Sequence, residues 1–221
     1  MAVFIIALLL GSILVPLTTQ VEQRQISGTE RTLDEIREVL VGFALVNGYL
    51  PCPDTDNDGA ENVTANRCSS ISGSRSHGNL PFATLGLAAA QYDVWGNRFR
   101  YAVREDYARR DTVFSLSTTS ADLRVCPVQG SCGGGQALTS SAVAVILSHG
   151  KNGYGATSGI AGTTNPSASS NDELENTDAD RDFVHRTHSP VGSSAGEYDD
   201  IVTWLPLYSL FNRMVAAGKL P

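Results

Sequence analysis

The chain has 221 residues, 42% of them hydrophobic, and its 23 acids and 16 bases give a formal net charge of −7. Residues 171–200 contain nine of those acids and only two bases, so this one segment accounts for the whole net charge and the rest of the chain is balanced. A diffuse acidic surface, a broadly basic nucleic-acid binder and a wholly disordered chain are therefore excluded.

The first 21 residues carry no Asp, Glu, Lys or Arg, and Ala2–Leu17 is almost purely apolar. A helix that crosses the ~30 Å hydrocarbon layer of a bilayer needs ~20 such residues, so residues 1–21 are predicted to be the membrane-spanning half of a helix. A cleaved secretory signal is one alternative, although no basic residue precedes Arg24 and Leu17–Gln20 is a poor cleavage context. A buried core helix is the other alternative.

The helix is expected to continue through residues 22–48 as an amphipathic half. Apolar residues recur there every three or four positions, which marks one face of a helix. Asn47 and Gly48 tolerate the left-handed conformation that ends helices. The prediction is one helix of roughly 45 residues, ~65–70 Å long, with a kink at Pro16 because proline removes a backbone donor. The apolar stripe consists of Leu33, Ile36, Leu40 and Phe43, with Val39 and Val46 beside it.

Residues 49–221 form the globular part, which is long enough to bury a core of its own. A helix at 82–92 and a turn at Gly96-Asn97 are predicted among strand-like runs, a pattern typical of an α+β fold. Residues 154–197 are rich in Gly, Ser, Thr, Asn and acids, and are expected to form a long loop or a partly ordered insertion. The predicted strands are 98–103, 112–118, 123–127 and 142–148.

Four cysteines follow the apolar segment, an even count that fits an oxidising compartment. Local pairing is the simplest of the three possible connectivities, Cys52–Cys68 and Cys126–Cys132, and each bridge would close a loop rich in turn residues. Zinc and free thiols are the alternatives. Zinc is disfavoured because no CxxC occurs and the histidines lie far away in sequence.

An acidic run at 54–59, Asp-Thr-Asp-Asn-Asp-Gly, imitates the start of an EF-hand calcium loop, in which oxygen ligands alternate along the chain before a glycine. The glutamate expected at the twelfth position is absent, since Ala65 stands there. A solvated turn is therefore favoured over a calcium site at this place.

The sequence contains no HExxH motif and no phosphate-binding glycine loop. Ser148 and His149 are adjacent, but neighbouring side chains on a strand point to opposite faces. The sequence therefore predicts a protein that is not an enzyme. A membrane-anchored periplasmic enzyme is kept only as the least favoured reading.

Six segments spread along most of the chain carry a resemblance to known proteins: Ala2–Gly11, Pro16, Leu50–Asp54, Tyr92–Tyr101, Leu147–Gly153 and Tyr198–Trp204. In this combination the chain resembles type IV pilins and the pseudopilins of type II secretion systems. The basic leader, the Gly-Phe cleavage junction and the following glutamate of that family have no counterpart here. Met1 falls about where the residue after that motif would stand, and we interpret the start as truncated or misassigned rather than as unprocessed.

The resemblance implies a pilin-like α+β fold, with the long N-terminal helix packed on a C-terminal antiparallel sheet domain. It implies a single-pass protein of the bacterial inner membrane with a periplasmic domain at 49–221, which joins a pilus or pseudopilus fibre through its N-terminal helix. The expected partners are other pilin or pseudopilin subunits and the membrane, with a secreted substrate as a further candidate and no nucleic acid.

A calcium site is also predicted near the end of the chain, because the glycine-rich run 149–155 can offer backbone carbonyls and Asp199-Asp200 supplies charge. The resemblance adds particular ligands to it. Asp200 matches a carboxylate ligand of the major pseudopilin, Asn152 replaces an aspartate, and Asp199 adds charge beside them. Tyr198 stands where another acid is common. Ligands from the 154–197 insertion are an alternative, and a solvated acidic loop without an ion is another. The candidate ligands in the insertion are Asp178, Asp180 and Asp182.

The function predicted from these features is that of a structural, non-enzymatic subunit, and the bulky insertion favours a minor one. The alternative is a membrane-anchored periplasmic binding module whose 154–197 loop recognises a secreted substrate or a surface.

Overall fold

A computed structural model describes the backbone of residues 2–160 and 162–220 and, within those ranges, the side chains from Gln20 onward. Helix α1 spans Ala2–Asn47 and ends where Gly48 takes a φ of 82°, as the sequence predicts. The side chains of residues 1–19, that of Pro16 among them, lie outside the described residues, and the kink at Pro16 stays a prediction. Within the described part of the chain, no helix combines the length and the apolarity needed to cross a membrane.

One face of α1 is buried against the globular part. Leu33, Ile36 and Leu40 are at most 1% exposed, which confirms the central part of the predicted stripe. At its C-terminal end the stripe turns toward Val41 and Ala44. Val46 was expected beside the stripe but is 79% exposed, because the buried positions advance by four residues there and leave it on the opposite side.

The globular part is built on a curled, mixed six-stranded sheet with the order β3-β4-β6-β5-β7, and β8 also pairs with β6. Two further short strands form a separate antiparallel pair. The strands are β1 Val63–Thr64, β2 Arg67–Cys68, β3 Arg75–Asn79, β4 Arg100–Arg104, β5 Leu123–Cys126, β6 Thr139–Ser148, β7 Asp182–Val184 and β8 Ile201–Pro206, and the later helices are α2 Asn171–Glu175 and α3 Leu207–Ala216.

The expectation of an antiparallel sheet is wrong at one pair of strands. β7 lies parallel to β5, with Val125 opposite Phe183, whereas β3, β4, β6 and β8 pair antiparallel. Parallel neighbours need a long connection. The chain between β5 and β7, which includes β6 and α2, provides one.

The sheet separates two hydrophobic cores. On one face α1 and α3 pack against Tyr101, Ile146 and Leu205. On the other face Val145 and Phe183 belong to a second cluster that β7 helps to close. Alternation along the strands explains this division, because successive side chains of β4 and β6 point to opposite faces.

Two predicted elements are absent from the described structure. The segment 82–92 is not a helix. Its first residues form a turn that ends at Gly86, which adopts a φ of 69°, and a short 3₁₀ helix, Ala88–Ala90, follows. The segment 112–118 is not a strand. Thr118 N donates to Ser115 O at 2.9 Å and turns the chain, so Phe114 enters the core from a loop.

The polar segment 154–197 is largely tied to the sheet instead of forming an isolated loop. It contributes both α2 and β7. Asp182 on β7 forms an ion pair with Arg124 on β5, and Arg186 binds Asp172 on α2 at 2.6 Å. The segment is therefore part of the domain's architecture.

The disulfides follow the local connectivity predicted from the sequence. Cys52 is bonded to Cys68 and Cys126 to Cys132. The first bridge ties the chain after α1 to β2, and the second closes the glycine-rich loop after β5. Each bridge thus restrains a stretch that has little regular structure.

Candidate metal centre

Three loops meet at one end of the sheet, where β6 ends and β8 begins. Ser148 on β6 is paired with Ile201 on β8, so the next residues outward, His149 and Asp200, come together at this end. The helix α2 of the polar segment reaches the same place. The antiparallel register of two neighbouring strands therefore brings distant parts of the sequence together.

Two of these segments carry a cluster of carboxylates, which we call the acidic cluster: Glu173 on α2, and Asp199 and Asp200 just before β8. One oxygen from each lies within 4.8 Å of the others. Glu173 is 1% exposed and Asp200 is 5% exposed. Charged carboxylates are almost never buried without a partner, so the question is what compensates them.

One oxygen of each carboxylate has a hydrogen bond. Glu173 Oε1 accepts from Asn152 Nδ2 at 2.9 Å and from the backbone N–H of Asp199 at 3.1 Å. Asp199 Oδ2 accepts from the N–H of Asn152 at 2.8 Å. Asp200 Oδ2 accepts from Asn176 Nδ2 at 2.7 Å. These bonds hold the three side chains in place.

The second oxygen of each carboxylate is buried and has no hydrogen-bond partner among the described residues: Glu173 Oε2, Asp199 Oδ1 and Asp200 Oδ1. Within that part of the chain no lysine or arginine forms an ion pair with the cluster. His149 is the nearest basic side chain, with Nδ1 3.5 Å from Asp200 Oδ1. Buried carboxylate oxygens without partners, in a cluster of three acids this close together, are what a bound cation would satisfy.

The electrostatics of the cluster favour protons or a cation. Burial, with the negative charge of Asp200 as a smaller cause, raises the pKa of Glu173 to about 7. Burial likewise raises the pKa of Asp199 to about 6, again with Asp200 contributing. Desolvation and the like charge of the neighbouring carboxylates both disfavour ionisation, so a proton or a cation stabilises the cluster at neutral pH.

Without a cation, the stability of the protein is expected to fall as pH rises from about 4 to about 7. The raised pKa values of Glu173 and Asp199 mean that the folded state holds protons which the unfolded chain has released. This stabilisation is complete below the ordinary pKa values near 4 and is lost as pH passes through about 6 and about 7. Thermal melts with a chelator present measure it, and Glu173→Gln is expected to flatten the dependence. The same slope in this variant as in the wild type would contradict the assignment.

The predicted ligands Asn152, Asp199 and Asp200 do lie together. The amide of Asn152, however, donates its NH₂ group to Glu173, and its Oδ1 accepts the N–H of Tyr154 at 3.0 Å. Asn152 as described therefore orients the carboxylates, and its oxygen would have to turn to reach a cation.

Glu173 was not predicted as a ligand from the sequence. A ligand from the polar segment was one of the predicted alternatives, but Glu173 lies on α2, before the acids named there. The acids proposed there lie elsewhere: Asp178 and Asp180 are exposed, and Asp182 is paired with Arg124. The sequence shows two acids, Asp172 and Glu173, in the first turn of the short helix α2. The neighbouring sequence does not show which of the two reaches the acidic cluster.

Gly150 allows the chain to approach the cluster closely. Its φ is 60°, and a Cβ atom there would lie 2.4 Å from the backbone oxygen of Asp199 and 2.5 Å from its Cγ. No side chain fits at that distance. The position after the end of β6 therefore requires glycine both for its conformation and for space.

In the acidic run at 54–59, the buried carboxylate of Asp54 binds backbone groups of the same run. Asp54 is 0% exposed, and its oxygens accept backbone N–H groups of Asp56, Asn57 and Gly59 at 3.2, 2.7 and 2.8 Å. Arg98 lies 3.6 Å away. The expected solvated turn is correct for the exposed Asp56 but not for Asp54, which holds the turn together.

Ser148 does not bond to its neighbour His149. Its hydroxyl donates to Asp93 Oδ2 at 2.6 Å, and Asp93 Oδ1 accepts the N–H groups of Trp95 and Asn97. Ser148 is 0% exposed. Its role is to hold the Asp93–Asn97 turn against the end of β6.

Comparisons of this chain with protein families, with curated proteins and with solved structures find no match.

Proposed function

We propose that the chain is a structural, non-enzymatic subunit of a type II secretion pseudopilus or a type IV pilus, and that it is a minor subunit. The observation that supports this is α1. The helix passes from the uncharged N-terminal segment to the globular part, and the sheet covers one face only, so that residues such as Ser27 and Glu35 stay exposed.

The mechanism follows from what must cover the apolar part of α1. Lipid can cover residues 1–21 while the subunit waits in the bacterial inner membrane, with the domain in the periplasm. Neighbouring helices of other pilin or pseudopilin subunits cover them in the fibre. Residues 22–48 carry the domain on the outside of the helical bundle. The two disulfides suit the oxidising periplasm.

A charge placed in the apolar segment tests the anchor. Leu9→Arg is expected to remove most of the protein from the membrane fraction, because a charged residue at the centre of a membrane helix costs about 3 kcal/mol. Gln23→Arg, at an exposed position of α1, is the matched control and should leave membrane retention unchanged. Cell fractionation measures both. Equal retention of the two variants would contradict an anchor in residues 1–21.

Calcium is the cation that fits the acidic cluster best. Hard cations take six to eight oxygen ligands, and carboxylates can bind through both oxygens. Glu173, Asp199 and Asp200 would supply the charge, and the glycine-containing loop 149–155 has backbone carbonyls nearby. The role proposed for the ion is structural, because it would join the end of the β6–β8 pair to the polar segment.

The second candidate function is a membrane-anchored binding module whose polar segment contacts a secreted substrate or a surface. Single exposed apolar side chains are common on proteins, but Ile160, which is 99% exposed, is a position of this segment at which the module can be tested. Deleting 154–197 would also remove Glu173 and β7. Ile160→Ser is the cleaner test: lost substrate capture with normal assembly would support the module, and normal capture would reject it.

A further inference from the structure

Strand β8 has an unpaired edge. It pairs with β6 on one side, from Ser148–Ile201 to Ala142–Pro206. In an antiparallel pair the backbone groups of every second residue point away from the partner strand. None of the outward N–H and C=O groups of β8 has a hydrogen-bond partner among the residues that the structure describes.

The sequence of this edge lacks the features that usually protect one. Proteins place charges, prolines or bulges on free edges, or cover them, because such edges attract another strand. The residues Ile201–Trp204 are strong strand formers without charge, and only Pro206, at the far end, lacks an N–H. The outer strand β7, in contrast, has three residues and carries Asp182.

Two clefts follow each other between this edge and α1. The first has a volume of about 700 Å³ and lies between Arg37 and Val41 of α1, residues 203–206 of β8, and α3. The second, of about 610 Å³, lies between Glu22, Ile26 and Glu30 of α1, residues 185–188 after β7 and residues 199–201, and it meets β8 at its first residue, Ile201. Because four consecutive residues of β8 line the first cleft, it opens on the edge of the strand and not on one face. We call the two clefts together the β8 groove.

The dimensions of the β8 groove suit an extended chain. The six residues of β8 span ~20 Å at ~3.3 Å each. Along α1 the lining runs from Glu22 to Val41, about 28 Å at 1.5 Å per residue. A segment of about six residues would therefore fit, with alternate side chains entering the clefts.

The charges of the groove favour a basic residue at one end of that segment. Arg37 is paired with Asp34, Glu38 with Arg213, and Glu22 with Lys151. Glu30 is exposed and has no hydrogen-bond or ion-pair partner among the described residues. It lies in the second cleft with Asp199 and Asp200. Arg186 also lines this cleft but is paired with Asp172, so the unpaired acids leave that end negative.

We propose that the β8 groove binds an extended segment of another protein, which adds to the sheet as a strand beside β8 with a basic residue next to Glu30. Backbone hydrogen bonds supply affinity in this mode of recognition, and the clefts supply selectivity. The occupant is a different chain and not a second copy. Two identical β8 strands paired by a two-fold axis would run antiparallel and would set their α1 helices in opposite directions. That argument rests on the proposed function, in which all subunits share one membrane orientation.

The test uses the full-length protein in detergent and a synthetic peptide of about six alternating valines and threonines with one terminal arginine. Hydrogen exchange measured by NMR is expected to show that every second amide of residues 201–205 exchanges rapidly in the free protein and becomes protected with the peptide. Glu30→Arg should weaken binding about fivefold, the size of one exposed ion pair turned repulsive. Glu35→Arg, an exposed glutamate of α1 outside the groove, should not.

N-methylation of the peptide separates strand addition from other modes. Two peptides are compared, one methylated on the odd-numbered amides and one on the even-numbered amides. Only one of these two sets of amides faces β8, so one peptide should lose binding and the other should keep it. Equal binding of both peptides, or no protection of residues 201–205, would overturn the proposal. A dimer with these amides protected in the absence of peptide would also overturn it, in favour of a second copy. The anchor is tested separately by Leu9→Arg, so either proposal can fail alone.

Discussion

Calcium added to the metal-free protein is expected to raise its melting temperature by about 8–16 °C at a thousandfold excess over the dissociation constant. A ligand that binds only the folded state stabilises it by about 4 kcal/mol at that excess. For a domain of this size each kcal/mol shifts the midpoint by about 2–4 °C. The physical reason is that the ion gives partners to the buried, unbonded oxygens of Glu173, Asp199 and Asp200.

Glu173→Gln is expected to have opposite effects in the two states. In the metal-free protein it removes one of three mutually repelling carboxylates, so the melting temperature should rise. With calcium present most of the stabilisation should be lost, because a charged ligand is gone. Glu35→Gln is the matched control, since Glu35 is an exposed acid of α1 without a hydrogen bond or ion pair among the described residues, and it should leave both values unchanged. Differential scanning calorimetry with chelator and with calcium measures the set. The same calcium response in wild type and Glu173→Gln would reject the site.

Gly150→Ala is expected to destabilise the protein by about 4 kcal/mol and to abolish the calcium response. An L-residue with this left-handed conformation costs about 1–2 kcal/mol, and the new Cβ would lie 2.4 Å from the backbone oxygen of Asp199. Backbone cannot move away as a flexible side chain can, so the loop and the acidic cluster must separate.

Gly135→Ala isolates the conformational part of that effect. Gly135 has a φ of 79° with no atom within 4 Å of the added Cβ, so it should lose only the 1–2 kcal/mol of the backbone term. Urea denaturation of both variants gives the comparison. Equal losses would show that the contact with Asp199 is not the cause.

Features set by local sequence were predicted well. The run of α1 follows from apolar spacing and ends where Asn47-Gly48 indicates. The turn before β4 follows from Gly96, and β6 from its apolar run. The bridges join cysteines that are close in sequence. Each of these features is determined by interactions between residues that are close in sequence.

Features set by distant pairing were missed. β8 is a strand because β6 offers it an edge, and β7 because β5 does. Neither shows a distinctive pattern on its own. The acidic cluster shows the same limit. Asp199 and Asp200 were identified from the sequence as an acidic pair, with Asp200 also matched by resemblance, but Glu173 joins them only through the folding of the polar segment. Local turns explain the two wrong elements. A turn at Gly86 prevents the helix predicted at 82–92, and a turn at Thr118 prevents the strand predicted at 112–118.

Cross-linking along α1 tests the central claim, that this chain assembles through its N-terminal helix. All four cysteines are in disulfides, so Ser27→Cys with Glu35→Cys places the only free thiols on the exposed side of α1. A bismaleimide added to cells carrying the native machinery is predicted to yield adducts of two or more chains in the membrane and sheared-fibre fractions. The control pair Ser117→Cys with Ser194→Cys, at exposed positions of the domain, should yield few. A chain that stays monomeric with thiols on α1 would contradict the account.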